Sequence, residues 1–195
     1  MSRRSDMLEL AILGLLLDAP MHGYELRKQV HRVLGTVRAL SYGTLYPRLR
    51  DLVLWGYLRE VDRPIPGRRA KITYAVTSAG RDRLAHLLSA AGPSAWEDEA
   101  FAVHFAFFGR TDATVRLRIL EGRRSRLEER LAVIRANGPA RSTSPLGTDT
   151  YLDELHRHGV ESTEADLRWI ARMIDTERQK HDRALSPYGD ALDKE

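Results

Sequence analysis

The sequence predicts a mainly α-helical protein that carries one small β-hairpin and divides into two domains. Apolar residues recur at helical spacing over most of the 195 residues. A change to period-two alternation is confined to residues 57–76. Gly92-Pro93 interrupts the pattern, so we expect one domain over residues 1–91 and a second over residues 92–195.

Two helices are expected at the start of the first domain. The first spans Ser5 to Asp18 and is apolar on nearly every side, which indicates a helix packed in the centre of a core. The second spans His22 to Leu34 and ends at Gly35, a residue typical of helix C-termini.

A third helix is expected between Ser41, a suitable N-cap, and Gly56. Pro47 lies inside it, where proline removes one backbone hydrogen bond. Such irregularities persist where function fixes the local shape, so this helix is a candidate functional element. Its apolar face is formed by Leu45, Leu49 and Leu52.

A β-hairpin follows the third helix. Residues 57–61 and 71–76 carry the strand pattern, and the turn-rich segment between them contains three arginines. Thr77 can cap a fourth helix with Leu84, Leu87 and Leu88 on one face. The order of three helices, a strand, a basic loop, a strand and a helix is that of a winged helix-turn-helix.

The second domain is expected to be helical throughout. An aromatic-rich helix over residues 96–108 precedes two long amphipathic helices over residues 111–136 and 150–185, joined by a polar loop. Such helices suit an antiparallel pair that needs a partner, which predicts a helical dimerisation domain and a homodimer. The expected dimer contacts are Leu120, Leu127, Leu131, Ile134, Leu167, Ile170 and Ile174.

Charge is distributed unevenly along the chain. Residues 1–90 contain 15 Lys and Arg against 8 Asp and Glu, whereas residues 91–195 contain 16 against 19. A basic part beside a mildly acidic part indicates a nucleic-acid-binding module joined to another function. The chain has no cysteine, which excludes disulfides and thiolate chemistry and suits a reducing cytoplasm.

The arginine pair at Arg3 and Arg4 precedes an apolar stretch, as it would in an export leader. Glu9 and Asp18 interrupt and close that stretch, and no small-residue cleavage site follows. The stretch is also much shorter than the roughly 20 residues that cross a bilayer. We therefore expect a cytoplasmic protein without a membrane segment.

Short segments in both domains form a distinctive set, of which Gly43-Thr44-Leu45-Tyr46-Pro47 is the most specific. The others are Leu13-Gly14-Leu15-Leu16, His22-Gly23-Tyr24-Glu25-Leu26, Gly56-Tyr57-Leu58, Gly67-Arg68-Arg69, Val76-Thr77-Ser78-Ala79-Gly80 and Leu167-Arg168-Trp169-Ile170. With these residues the chain resembles the PadR family of bacterial regulators, and the resemblance accounts for Pro47. It implies a homodimer whose winged helices bind a palindromic operator and, in many members, a response to small aromatic compounds or drugs.

The third helix and the hairpin tip are the expected contacts to double-stranded DNA. The N-terminal half of the helix is expected in the major groove, and the hairpin arginines on phosphate or in the minor groove. The expected contact residues are Ser41, Tyr42, Thr44, Tyr46 and Arg48 on the helix and Arg63, Arg68, Arg69 and Lys71 on the wing. A solvated helix face and a charged, soluble hairpin tip are the alternatives.

Aromatic residues of the second domain are candidates for an effector site. Trp96, Phe101, Phe105 and Trp169 could wall a pocket for a small aromatic or drug-like effector, and core packing is the alternative. No metal or cofactor is expected. His156 and His158, the best-spaced histidines, point to different faces of a helix.

The function that these patterns favour is sequence-specific transcription regulation, by a repressor that a small effector releases from its operator. An activator is an open alternative, and so is a helical protein-interaction module without DNA binding, against which the basic wing speaks. An enzyme is not expected, because the sequence has no glycine-rich phosphate loop, nucleophile elbow or zinc-binding helix motif.

Overall fold

The computed structural model describes residues 3–34, 42–61, 72–138 and 149–185. The chain splits into unit 1, Met1–Val115, and unit 2, Arg116–Glu195. The elements are α1 (Arg3–Leu16), β1 (Met21–His22), α2 (Gly23–Leu34), α3 (Tyr42–Leu54), β2 (Leu58–Glu60), β3 (Thr73–Val76), α4 (Ser78–Ser89), α5 (Asp98–Ala106), α6 (Ala113–Ala136) and α7 (Asp149–Leu185), with short 3-10 turns at Pro93–Trp96 and Phe108–Arg110.

Helix α1 lies at the centre of unit 1, as its uniformly apolar sequence predicts. Ala11, Ile12 and Leu13 occupy successive positions around the helix and are all fully buried, so α1 is enclosed from several directions. The surrounding elements each bury an apolar face against this core. Its other members include Leu26, Val30, Leu45, Leu49, Leu52, Leu58, Tyr74, Val76, Leu84 and Leu88.

The end of α3 explains why a strand follows immediately. Gly56 has φ 77°, a left-handed conformation that side-chain-bearing residues rarely adopt. Its N–H donates to Val53 O at 3.0 Å, and the N–H of Tyr57 donates to Leu52 O at 2.9 Å. This pair of bonds is a Schellman motif, which stops the helix and turns the chain into β2.

The predicted hairpin is confirmed and gains a third strand. The sheet order is β1-β3-β2, with both pairings antiparallel. Leu58 lies opposite Val76 and Glu60 opposite Tyr74, which fixes the register of the hairpin. Strand β1 was not predicted, because two residues are too few to show an alternating pattern.

The division between the two units differs from the boundary expected at Gly92-Pro93. Helix α5 follows that dipeptide, but Val103 and Phe107 at its C-terminal end belong to the buried core of unit 1. The Phe107 ring lies against Gly14 of α1. Burial of these two side chains attaches residues 92–115 to the winged helix.

Unit 2 consists of an antiparallel helix pair. Arg116 near the start of α6 lies 2.6 Å from Glu177 near the end of α7, and Arg135 at the end of α6 lies 2.7 Å from Glu164. Between these ion pairs runs a buried apolar stripe, which confirms the expected antiparallel arrangement. None of the helices among the described residues is both long and apolar enough to cross a bilayer.

Candidate nucleic-acid interface

Helix α3 presents two different faces. Leu45, Leu49 and Leu52 are buried against the core, as their spacing predicts. Thr44 and Tyr46, which were expected as DNA contacts, are exposed outside this buried stripe. The helix is therefore anchored by one face and free to present the other.

Tyr46 is exposed but held in place. Its ring lies close to Gly23 at the start of α2, where a Cβ atom would stand 3.4 Å from Tyr46 Cε1 and 3.4 Å from the ring of Tyr74. The Gly-Tyr pair of α2 and the Leu-Tyr-Pro segment of α3 thus meet at one point of the fold. Burial, with the nearby carboxylate of Glu60, raises the pKa of Tyr74, so its hydroxyl stays protonated at neutral pH.

Arg48 does not share the exposed face, and its expected DNA contact does not fit this geometry. Its residue exposure is 7 %, and its guanidinium donates to the carboxylate of Glu9 on α1, which is fully buried. The same guanidinium lies 4.8 Å from the ring centroid of Trp55. Position 48 lies at the edge of the buried stripe, three residues after Leu45 and four before Leu52, which gives the side chain an inward direction that residue type alone did not reveal.

The other expected DNA contacts lie outside the described part of the chain. Ser41 and all four wing residues, Arg63, Arg68, Arg69 and Lys71, fall in residues 35–41 and 62–71. Tyr42 is the first residue of α3, but its side chain is not described. The strands that carry the wing are described, and Val61 N donates to Thr73 O at 2.9 Å at its base.

Two exposed residues were not predicted as DNA contacts. Arg50 lies four residues after Tyr46 on α3 and is exposed, a spacing that places both on the same face. Tyr24 near the start of α2 has 73 % of its surface exposed. The four-residue spacing from Tyr46 could have identified Arg50 from the sequence.

Most of the expected dimer contacts are buried within a single chain. Leu120 and Leu127 of α6 and Ile170 and Ile174 of α7 are 2 % exposed or less, and Leu131 is also buried. These side chains pack α6 against α7, because two apolar stripes on facing helices satisfy each other. Ile134 and Leu167, the remaining expected contacts, are half-buried.

Apolar surface nevertheless lies exposed at the start of α7. Leu155 has 66 % of its surface exposed, and its neighbours Tyr151 and Leu152 are equally open. The three residues are here called the α7 apolar patch. They lie within five consecutive positions of α7, which is little more than one helical turn.

The expected effector aromatics are divided between the two units. In unit 1, Phe101 and Phe105 stack with ring centroids 5.7 Å apart, and Phe105 lies 4.9 Å from Phe108. Trp96 is half-buried in unit 1, and Trp169 is half-buried on α7 of unit 2. These phenylalanine rings pack against one another, as aromatic residues in a protein core do.

A cavity of about 840 Å³ opens within unit 1 among α1, α4, the 3-10 turn at Pro93–Trp96 and α5. Its apolar wall includes Met7, Leu10, Leu87 and Val103, and the aromatic residues predicted for the effector are not part of the lining. His104 also lines it, and burial lowers the pKa of this imidazole. The Nδ1 atom of His104 is buried and has no hydrogen-bond partner among the described residues.

No group of three or more potential metal ligands occurs among residues 3–34, 42–61, 72–138 and 149–185. His156, one of the two histidines considered for a metal, has its Nε2 2.8 Å from Ile134 O. That ring takes part in the contact between α6 and α7.

A three-helix core, a small antiparallel sheet and an exposed helix face together define a winged-helix domain. Residues 12–86 match the family model described as the Transcriptional regulator PadR-like family. This segment of the chain, 75 of its 195 residues, is therefore similar to the PadR-like transcriptional regulators. Members of the family are regulators of transcription and not enzymes.

Solved structures similar to this chain include two of Bacillus subtilis PadR. The complex with operator DNA is 19 % identical, with a TM-score of 0.41, over 87 % of this chain and 98 % of that one. The complex with p-coumaric acid is 20 % identical, with a TM-score of 0.39, over 88 % and 99 %. A PadR-like transcriptional regulator from Bacillus cereus is 20 % identical, with a TM-score of 0.38, over 89 % and 99 %. No curated protein matches the chain.

Proposed function

We propose that this protein is a homodimeric repressor that reads a palindromic operator with the exposed face of α3 and the wing. The observation that carries the proposal is the exposure of Thr44, Tyr46 and Arg50 on α3. This helix lies in a PadR-like domain, and its leucine face is buried. Hydroxyl and guanidinium groups on such a face can donate to base edges and phosphates. Arg63, Arg68, Arg69 and Lys71 complete the interface through phosphate contacts.

Selection from a library of randomised duplexes tests the reading of sequence. The wild-type protein should enrich a palindrome, and binding should weaken steeply with salt because phosphate contacts release counterions. Arg50→Gln should lower affinity for the selected duplex about tenfold, the cost of one good base or phosphate contact. Arg81→Gln, on an exposed turn of α4, is the matched control and should bind normally. Enrichment of no shared sequence would mean that the protein does not read an operator.

We further propose that the α7 apolar patch is part of the dimer contact. Exposed apolar surface of this kind is unfavourable in a monomer, and a symmetric dimer covers it on both copies at once. Leu155→Asp should convert the dimer into a monomer in light scattering and abolish operator binding, since one half-site offers too few contacts. Leu155→Met keeps an apolar side chain and should leave the dimer intact. A monomeric wild type would remove this part of the proposal.

The proposed effector is a small aromatic or drug-like molecule, and the cavity of unit 1 is the site that the geometry favours for it. Its volume and its apolar wall, with one polar atom of His104 lacking a described partner, suit such a ligand. Trp96, Phe101 and Phe105 of unit 1 and Trp169 of unit 2, which the sequence predicted as effector-binding residues, are not part of the cavity lining. A tenfold loss of operator affinity requires about 1.4 kcal/mol of preference for the free form.

Fluorescence titration of variants that retain only Trp96 or only Trp169 tests the effector site. A panel of aromatic carboxylates and cationic amphiphiles is added while operator release is measured on the same samples. Leu87→Trp should fill part of the cavity and weaken ligand binding without changing duplex affinity. If bound compounds leave the operator in place, the effector proposal fails. A reporter gene behind the selected duplex separates repression from activation.

A further inference from the structure

The structure contains a buried charge cluster that joins three helices of unit 1 and has no part in the proposed DNA contacts. Glu9 of α1 is fully buried and accepts hydrogen bonds from two guanidinium groups. One belongs to Arg48 of α3, and the other to Arg83 of α4, whose Nε lies 2.7 Å from Glu9 Oε1. Trp55 covers the outer side of Arg48. These four residues are called the Glu9 cluster below.

The cluster is poorly explained as a source of stability. Removing a carboxylate and two guanidinium groups from water costs several kcal/mol per ion, and the mutual attraction recovers this only when hydrogen bonding is complete. Here Arg48 Nε is buried and has no acceptor among the described residues. Apolar side chains of similar volume would fill the space of Glu9 and Arg48 at no greater cost.

Its geometry instead suits a positioning role. Glu9 and Arg48 lie on α1 and α3, the central helix and the helix with the exposed recognition face. Packing of leucines alone tolerates a small slide or rotation of α3, because apolar contacts have no direction. A charged hydrogen bond has a fixed direction and length, so it specifies one setting of α3 relative to α1. Trp55 limits the other side of the Arg48 guanidinium.

We propose that the Glu9 cluster fixes the orientation of α3, so that Glu9, Arg48, Arg83 and Trp55 are positioning residues for sequence recognition without touching DNA. The inference rests on the proposed use of α3 in reading a duplex. It assigns Arg48, which the sequence placed among the DNA contacts, to the interior. Arg83 ties the same carboxylate to α4, and the hydrogen bond to Glu9 raises the pKa of its guanidinium.

The decisive variant replaces the ion pair by apolar residues, Glu9→Leu with Arg48→Met. We expect thermal stability close to that of the wild type, while affinity for the selected duplex falls about tenfold and affinity for a random duplex is unchanged. Arg81→Gln is the control on the same helix as Arg83 and should change neither affinity. Wild-type discrimination between the two duplexes in the double variant would overturn the proposal.

Arg48→Gln alone separates positioning from direct contact. If Arg48 binds a phosphate, affinity for both duplexes should fall together and the salt dependence should weaken by about one counterion. That result would overturn the proposal. The expected result is a loss confined to the selected duplex, with an unchanged salt slope.

Two further measurements keep the proposal testable if the double variant does not fold, and the second of them, hydrogen exchange, does so even if the wild type selects no operator. Trp55→Leu alters an exposed residue and should cost about threefold on the selected duplex; an unchanged affinity would count against the cluster. Glu9→Gln should speed hydrogen exchange of α3 amides about tenfold, with the amides of β2 and β3 unchanged. A uniform increase over unit 1 would show a purely structural role and overturn the proposal. Failure of duplex selection by the wild type would refute the proposed function alone, since exchange reads α3 without DNA.

Discussion

Units 1 and 2 place their charges differently. Unit 1 buries Glu9 with two guanidinium partners from separate helices, inside a core that surrounds α1 on several sides. Unit 2 also has one buried carboxylate, Glu177, which pairs with Arg116, but other pairs lie near the surface, as in Arg178 with Glu121 at 2.7 Å, where both side chains are about half exposed. Exposed pairs of this kind contribute roughly 0.2–1 kcal/mol each. The buried charges of unit 1 therefore join three separate helices, whereas the buried charge of unit 2 pairs only across its two helices and within α7.

The largest expected effect comes from charging the apolar stripe of unit 2. Ile170→Asp places an unpaired carboxylate where the wild-type side chain is buried, so unit 2 should lose about 4 kcal/mol or more and much of its helix. Circular dichroism during urea unfolding measures this. Val133→Asp, on an exposed position of α6, should change the unfolding free energy by less than about 0.5 kcal/mol. A folded Ile170→Asp monomer would restore Ile170 to the dimer interface.

Two leucines of α3, one buried and one exposed, measure how much burial of an apolar side chain contributes to the stability of unit 1. Leu49 is fully buried and Leu54 is 82 % exposed, and both are replaced by Ala. Leu49→Ala should cost about 2–5 kcal/mol through lost contacts and a cavity, and Leu54→Ala less than about 0.5 kcal/mol. Urea unfolding followed by Trp55 and Trp96 fluorescence measures both. Equal losses would contradict the two-faced description of α3.

Acid should weaken unit 2 through Glu177. Burial raises the pKa of this carboxyl, but hydrogen bonds from Lys180 and Arg116 and their charges outweigh it, so the folded pKa lies below the ordinary value of 4.5. The unfolded state then binds the proton first, and stability that is present above pH 4.5 is lost as the pH falls through the folded pKa. Glu177→Gln should flatten the unfolding profile below pH 4.5, and an unchanged slope would refute the assignment.

The smallest effect is expected in unit 1 at milder pH. Burial lowers the pKa of His104 below its ordinary 6.5, so the unfolded state binds a proton at a higher pH than the folded state. Stability should therefore fall as the pH drops below 6.5, where Glu177 is still ionised. His104→Leu should remove this slope from the melting of unit 1 and leave the slope at pH 4 in place. A slope that survives the substitution belongs to another group.

The sequence predicted some features of the candidate site and not others. Leucine spacing predicted which face of α3 is buried, and Gly56 predicted where the helix ends, because both signals are local. Arg48 was misplaced because the partner that draws it inward, Glu9, lies 39 positions away. The apolar pattern of α6 and α7 predicted that these helices pack through an apolar stripe. The same pattern occurs whether the two packed helices belong to one chain or to two.

The sequence by itself determined the class of this protein. Helical periodicity, the short change to strand alternation and the Gly-Thr-Leu-Tyr-Pro segment were enough to predict a winged helix and its resemblance to the PadR-like family, whose model matches residues 12–86. Tertiary structure alone decided which charged residues are inside, and it attached α5 to the winged helix through Val103 and Phe107. The physical reason is the distance along the chain over which each interaction acts. Periodicity and caps are set by neighbours within one turn, whereas burial of a charge depends on what distant segments bring to it.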